Sequence, residues 1–206
     1  DETISVSLAN LDNTSLAVDI TDGAVVTIEN DDAAAVTIAD ISADEDGGAI
    51  TVTASLDFAV QGGFTVEVNT ADGSATVADS DYSAVAAYTL TFAGTAGETQ
   101  TFSVTPTVDT KLEGDETLTV SLANLDNTSL AVDITDGAVV TITNDDAAAV
   151  TIADISADED GGAITVTASL DHAVQGGFTV EVNTADGSAT VADSDYSAVA
   201  AYTLTF

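Results

Sequence analysis

The side chains in this sequence that could do chemistry are almost all carboxylates, and they come in groups. Asp44-Glu45-Asp46, Asp79 with Asp81, Asp109 with Glu113, Asp115 and Glu116, and Asp145-Asp146 all lie between runs of alternating apolar residues. Turns that share one end of a β-structure would pool their oxygens there. Hard divalent cations take about 6–8 oxygen ligands, and Ca²⁺ tolerates irregular, bidentate sets drawn from several loops. Mg²⁺ is stricter in geometry, and Zn²⁺ would normally recruit His or Cys. Cys is absent and His172 is the lone histidine. The chemistry on offer is therefore that of oxygen ligands around a hard cation.

The wider charge balance points the same way. The chain carries 36 acidic side chains against one lysine, Lys111, for a formal net charge of −35. Nucleic acid and anionic membranes would be repelled, so neither is expected as a partner. At ~0.15 M salt a Debye length of about 8 Å screens only part of the self-repulsion, and bound divalent ions would relieve more. An acidic chain with few aromatics can be disordered. Here the hydrophobic fraction is 45%, and its regular alternation argues for a packed β-protein. Without Cys there is no disulfide framework. No apolar run approaches the roughly 20 residues of a transmembrane helix, and no signal peptide is visible. The chain starts inside a repeat, so missing targeting signals carry no weight.

That repeat is nearly exact. Asp1-Glu2-Thr3 returns as Asp115-Glu116-Thr117, a period of 115 − 1 = 114 residues, and 1–92 align with 115–206 without a gap. Only Ile4/Leu118, Ser5/Thr119, Glu29/Thr143 and Phe58/His172 differ. A 114-residue period is far longer than that of most solenoids and matches a common single-domain size. Residues 33–146 are expected to form one complete unit, with 1–32 the end of a preceding unit and 147–206 the start of a following one. Neither end piece should fold alone, and each is expected to need its complement from a neighbouring unit. The junctions, Asn30-Asp31-Asp32-Ala33-Ala34-Ala35 and Asn144-Asp145-Asp146-Ala147-Ala148-Ala149, are short and acidic.

Within 33–146 the pattern predicts seven or eight strands, as in a sandwich. Ile50, Val52, Ala54 and Leu56 alternate with Thr51, Thr53 and Ser55. Phe64, Val66 and Val68 follow, then Tyr88, Leu90 and Phe92, Phe102 and Val104, Leu118, Val120 and Leu122, and Val140 and Ile142. Apolar residues inward with Thr and Ser outward are what half-buried antiparallel strands require. The expected strands cover about 35–40, 49–56, 64–71, 75–78, 88–104 with an interrupting turn, 116–123 and 138–144. This order brings the acidic turns before 49, 88, 116 and after 144 to one end.

Glu45-x-Gly47-Gly48, Asp72-Gly73-Ser74-Ala75-Thr76 through Asp79-Ser80-Asp81-Tyr82, Leu112-Glu113-Gly114-Asp115-Glu116 and Thr141-Ile142-Thr143-Asn144-Asp145-Asp146 follow one another in this order. The ordered set resembles the Calx-β domain and spans essentially all of 33–146. The resemblance implies an all-β, immunoglobulin-like antiparallel sandwich, in tandem, with Ca²⁺ sites at the end where the last strand leaves. It implies Glu45, Asp81, Asp109, Glu113, Asp145 and Asp146 as ligands of the central unit. Asp31 and Asp32 would belong to the preceding site, and Glu159 and Asp195 to the following one. The family often has two adjacent acids before the threonine at 110, whereas Val108 stands here before Asp109. Fewer or weaker ions are expected for that reason, and Lys111 could offset charge in the cluster.

The family occurs in sodium–calcium exchangers and, in tandem, in very large bacterial surface adhesins. The resemblance therefore implies an extender, or stalk, of an RTX-type adhesin, secreted to the cell surface and used in attachment and biofilm formation. Its partners would be the neighbouring repeats of the same chain, and no membrane contact is expected. The glycine-rich RTX nonapeptide itself is absent. A calcium-sensing regulatory module and an accessory module of a secreted enzyme are the alternatives. A switch needs two states of different affinity, and near-identical tandem copies favour a scaffold. An accessory module would want an exposed aromatic platform. No enzymatic activity is expected, because Phe58 replaces His172 in the other copy and leaves no Ser-His-Asp set. Paired carboxylates could serve a glycosidase, but acids crowded at a sandwich end without an aromatic cleft suit metal better. Two N-glycosylation patterns, at 13–15 and 127–129, are weak matches.

Overall fold

A computed structural model describes residues 1–12, 16–126 and 130–206; both Asn-Thr-Ser patterns lie outside the described residues. β1 (Glu2–Ser7) and β2 (Gly23–Ile28) form an antiparallel hairpin. Next along the chain come β3 (Ala34–Ile38), β4 (Ile41–Asp44), β5 (Ile50–Leu56), β6 (Phe64–Asp72), β7 (Tyr82–Ser83) and β8 (Tyr88–Phe92). They are followed by β9 (Thr99–Pro106), β10 (Glu116–Asp126), β11 (Val132–Asp133) and β12 (Gly137–Thr143). β13 (Val150–Ile152) pairs with β14 (Ala168–Leu170), and β15 (Thr179–Val182) with β16 (Tyr202–Thr205).

Strands β3 to β12 make two five-stranded sheets, ordered β4-β12-β10-β6-β8 and β11-β3-β5-β9-β7. Their inner faces enclose one core, giving the immunoglobulin-like β-sandwich. Val36, Val52, Val66, Val68, Phe92, Val104, Leu118 and Val140 are all fully buried in it, in phase with the alternation. The rings of Phe64 and Phe92 stack across the β6–β8 pair at 4.9 Å between centroids. Tyr88 departs from the expected pattern: it lies on β8, at the edge of its sheet, and is exposed.

Several strand assignments differ from the sequence expectation, among them β11, which falls where no strand is expected. The first expected strand is two, because the chain crosses between sheets at Ala39-Asp40. β3 pairs antiparallel with β5, and β4 pairs parallel with β12. Carboxylates take up the N–H groups there: Asp40 accepts from Val139 and Asp136 from Ile38, each at 2.8 Å. Residues 75–78 are turn instead of strand, since Asp81 accepts the Thr76 N–H (2.6 Å) and Asp72 the Val77 N–H (3.2 Å). The short strand falls at Tyr82–Ser83 instead. Finally, 88–104 is two strands of opposite sheets. Gly94, at φ +88°, lies in the turn between them, a region where L side chains are strained. Glu98 accepts the N–H groups of Ala93 (2.9 Å) and Gly94 (3.0 Å) and so holds that turn.

The duplicated strands supply an internal control on what burial depends on. Leu118 is 0% exposed on β10, while its counterpart Ile4 on β1 is 51% exposed. The register of β1 on β2 copies that of β10 on β12, Glu2 opposite Ile28 as Glu116 is opposite Ile142. Local pairing is therefore encoded in the strand pair itself. Burial comes from a second sheet, and among the described residues none covers β1 and β2.

Candidate metal centre

The connections at one end of the sandwich carry the acids. Glu45 starts a single 3₁₀ turn, Glu45–Gly47, directly after β4. Asp81 precedes β7, Asp109 and Glu113 lie between β9 and β10, and Asp145 and Asp146 follow β12. Glu116 is the first residue of β10, in phase with Leu118, Val120 and Leu122, so the pleat that buries those residues buries it too.

Carboxylate oxygens of Glu45, Asp109 and Asp146 lie within 4.8 Å of one another, and so do those of Asp81, Glu113 and Glu116. A cavity of about 10 Å³ is lined by Glu45 and Asp109 of the first triad and by Asp81, Glu113 and Glu116 of the second. Backbone hydrogen bonds hold the set. Asp109 N–H donates to Glu45 Oε1 (3.1 Å), Lys111 N–H to Asp109 Oδ1 (2.6 Å) and Thr107 N–H to the Asp81 carbonyl (2.9 Å). Asn144 braces the exit: its Oδ1 accepts the Glu113 N–H (3.1 Å), and its Nδ2 donates to the Asp146 carbonyl (3.0 Å).

Glu45 and Glu116 are 7% exposed, and burial first of all raises both carboxyls above their usual range. The charge of Asp109 adds to this for Glu45, and those of Asp81 and Glu113 for Glu116, where the amide of Gln175 works in the opposite sense. The only lysine of the chain lies here, its ammonium against Glu113 Oε1. Glu113 in turn raises the Lys111 pKa. Apart from that ammonium, the buried Glu113 Oε1 is offered no hydrogen bond.

These residues fit a hard cation. The donors are all oxygens, as hard cations require, each triad offers three carboxylate oxygens, and a buried carboxylate oxygen is left to a positive charge. Glu45, Asp109 and Asp146 would hold one ion. Asp81, Glu113 and Glu116 would hold a second, in the space where Lys111 now supplies the counter-charge.

Of the residues expected as ligands, the structure thus brings together Glu45, Asp81, Asp109, Glu113 and Asp146. Asp145 belongs to neither triad. It is exposed and hydrogen-bonded to Asp46, which raises the Asp46 pKa. Asp31 and Asp32 are exposed at the first junction, and Glu159 and Asp195 are exposed in the last unit; none of the four joins such a group among the described residues. Glu116, which is not among the residues expected as ligands, is a member of a triad. Its signal was an acid in register with the inward residues of its own strand. Asp79 is held locally by Thr76, and Asp115 accepts the Asn144 N–H across the β10–β12 pair. Asp72 accepts the Tyr82 hydroxyl at 2.7 Å.

The sequence profile of the Calx-beta domain matches residues 19–147 and 143–206. Similar solved structures include the apo form of the Calx CBD1 domain, at 22% identity over 56% of this chain and 100% of that one, TM-score 0.48. CBD12 from CALX1.2 is 23% identical over 54% of this chain and 44% of its own, TM-score 0.47. The calcium binding domain CBD12 of CALX1.1 is 25% identical over the same shares, 54% and 44%, TM-score 0.45. No curated protein matches the chain.

Proposed function

The chain belongs to the Calx-beta domain family, and we propose that it is a calcium-binding structural extender whose repeats stand end to end. In this reading residues 33–146 are the repeating unit, and the neighbouring repeats are its partners. Ca²⁺ at the exit of β12 sets the direction in which the next unit leaves. The observation that carries the reading is the position of Asp146. It lies in the short run out of the sandwich, yet its carboxylate groups with those of Glu45 and Asp109. A cation there would tie the linker to the domain it has just left.

The net charge of −35 gives the cation a second task, since each bound ion relieves repulsion between neighbouring units. The wider setting we propose is a secreted bacterial adhesin of the RTX type. Its stalk would hold a binding domain away from the cell during attachment and biofilm formation. This is a non-catalytic role. The regulatory alternative would require the sandwich itself to change conformation with calcium.

Thermal unfolding in Ca²⁺ and in chelator tests the proposal. An ion that binds only the folded state adds about 2.7 kcal/mol at 100 times its Kd. The transition should therefore move up on adding Ca²⁺ and return with chelator. Melting curves that superimpose under both conditions would defeat the proposal.

A further inference from the structure

At the second junction the two successive units touch through a specific clamp. The strap between β9 and β10 pairs in parallel with the loop after β14, Leu112 opposite Val174. Leu112 N–H donates to the Ala173 carbonyl (2.8 Å), and Gln175 N–H donates to the Leu112 carbonyl (2.9 Å). The Gln175 side chain then grips both ends of the strap's tail. Its Nε2 donates to Glu116 Oε1 at 2.9 Å, and its Oε1 accepts from Gly114 N–H at 3.5 Å. One residue of the following unit thus holds Leu112, Gly114 and Glu116 of the preceding one.

The first junction has the same residues 114 positions earlier: Ala59, Val60 and Gln61 for Ala173, Val174 and Gln175, and Glu2 for Glu116. Its local bonds are also the same. Asn30 N–H donates to Asp1 Oδ1 (2.9 Å) as Asn144 N–H does to Asp115 Oδ1 (3.2 Å). Ala35 N–H donates to Asp57 Oδ1 as Ala149 N–H does to Asp171 Oδ1, each at 2.6 Å. Where the strap lies at the second junction, the first presents an open groove of about 710 Å³, lined by Ile28, Asp31 and Phe58 to Gln61. Phe58, at its mouth, is 63% exposed.

We infer that this groove is a docking surface for a Lys-Leu-Glu-Gly strap, the sequence of Lys111–Gly114, carried by a preceding repeat. The leucine would pair in parallel with Val60, and Gln61 would bridge the strap's glycine and Glu2. Every junction in a tandem array would then carry the same clamp. The basis is the duplicated junction and not the metal. A chain that bound no calcium would defeat the extender proposal and leave this inference standing.

The test is amide hydrogen exchange, in chelator, on this chain and on one in which the sequence of residues 93–114 is placed again ahead of Asp1. In the longer chain the Gln61 amide should slow by about tenfold or more, towards the rate of the Gln175 amide. Replacing the added strap's leucine by proline, which removes the bridging N–H, should abolish the slowing. An unchanged Gln61 rate in the longer chain, or slowing that survives the proline, would overturn the inference. So would slowing that appears in the 206-residue chain and grows with protein concentration, since the occupant would then be a second molecule.

Discussion

Asp146 and Glu45 stand 146 − 45 = 101 residues apart in sequence, yet their carboxylate oxygens lie within 4.8 Å of each other, with Asp109 completing the group. One of the pair is in the first turn of the sandwich and the other in the run that leaves it. An ion between them would therefore bear on the shape of the sandwich and on the direction of the exit.

Removing either carboxylate should weaken the first site specifically. Glu45→Gln and Asp146→Asn each keep the side-chain volume and remove a charge from the triad. Calcium affinity measured by calorimetry should fall by at least about tenfold, or ~1.4 kcal/mol. Asp145→Asn, one residue away but outside both triads, should change it far less.

The buried acids give the metal-free protein a definite pH dependence. The carboxyls of Glu45 and Glu116 are raised above their ordinary value of 4.5, so the folded chain holds protons there that the unfolded chain has released. Their contribution to stability is fully present below pH 4.5 and is lost as pH rises through the raised values. In chelator the melting temperature should accordingly drop across that interval. With Ca²⁺ bound the charged forms are favoured and the drop should shrink or reverse. Binding in that interval should also release protons, measurable as a buffer-dependent heat.

Lys111 should act against the second ion. Its ammonium meets Glu113 Oε1, and an ion entering the Asp81, Glu113 and Glu116 triad must displace it. Lys111→Gln is expected to raise calcium affinity at that triad severalfold. In chelator the same change should lower the melting temperature, because it leaves the buried Glu113 carboxylate without its counter-charge. Calorimetry and thermal unfolding read the two opposite effects.

The duplicated strands predict a position-dependent cost for one kind of change. Leu118→Ala opens a cavity in a site that is 0% exposed and should cost about 2–5 kcal/mol. Ile4→Ala, at the aligned position but 51% exposed, should cost only a small fraction of that. Denaturant unfolding of the two variants makes the comparison.

Much of this was legible in the sequence, and what was not has physical reasons. Period-two alternation marked the inward residues of β5, β6, β10 and β12, because the residues between them, such as Thr51, Thr53, Glu67, Asn69, Thr119 and Ser121, are mostly polar. The crossing at Ala39-Asp40 was hidden, since the same alternation serves a strand in either sheet. The turn at 75–78 was missed because side chains of Asp72 and Asp81, and not another strand, satisfy its backbone.

The acidic end of the sandwich could also be read, but not which acids turn inward. Neighbours in extended chain point to opposite sides, so of Asp145 and Asp146 only the second joins Glu45. Glu116 could have been identified from its phase with Leu118. The grip of Gln175 on Glu116 could not, since it depends on how one unit sits against the next.

The central claim is that calcium fixes the angle between successive units. Small-angle X-ray scattering of several tandem repeats, in Ca²⁺ and then in chelator, measures it most directly. With Ca²⁺ the maximum dimension should grow by a constant step for each added repeat, on the order of 40–50 Å from strand lengths of about 25 Å plus loops. In chelator the particle should become shorter and more variable. A maximum dimension and distance distribution that are unchanged by chelator would contradict the account.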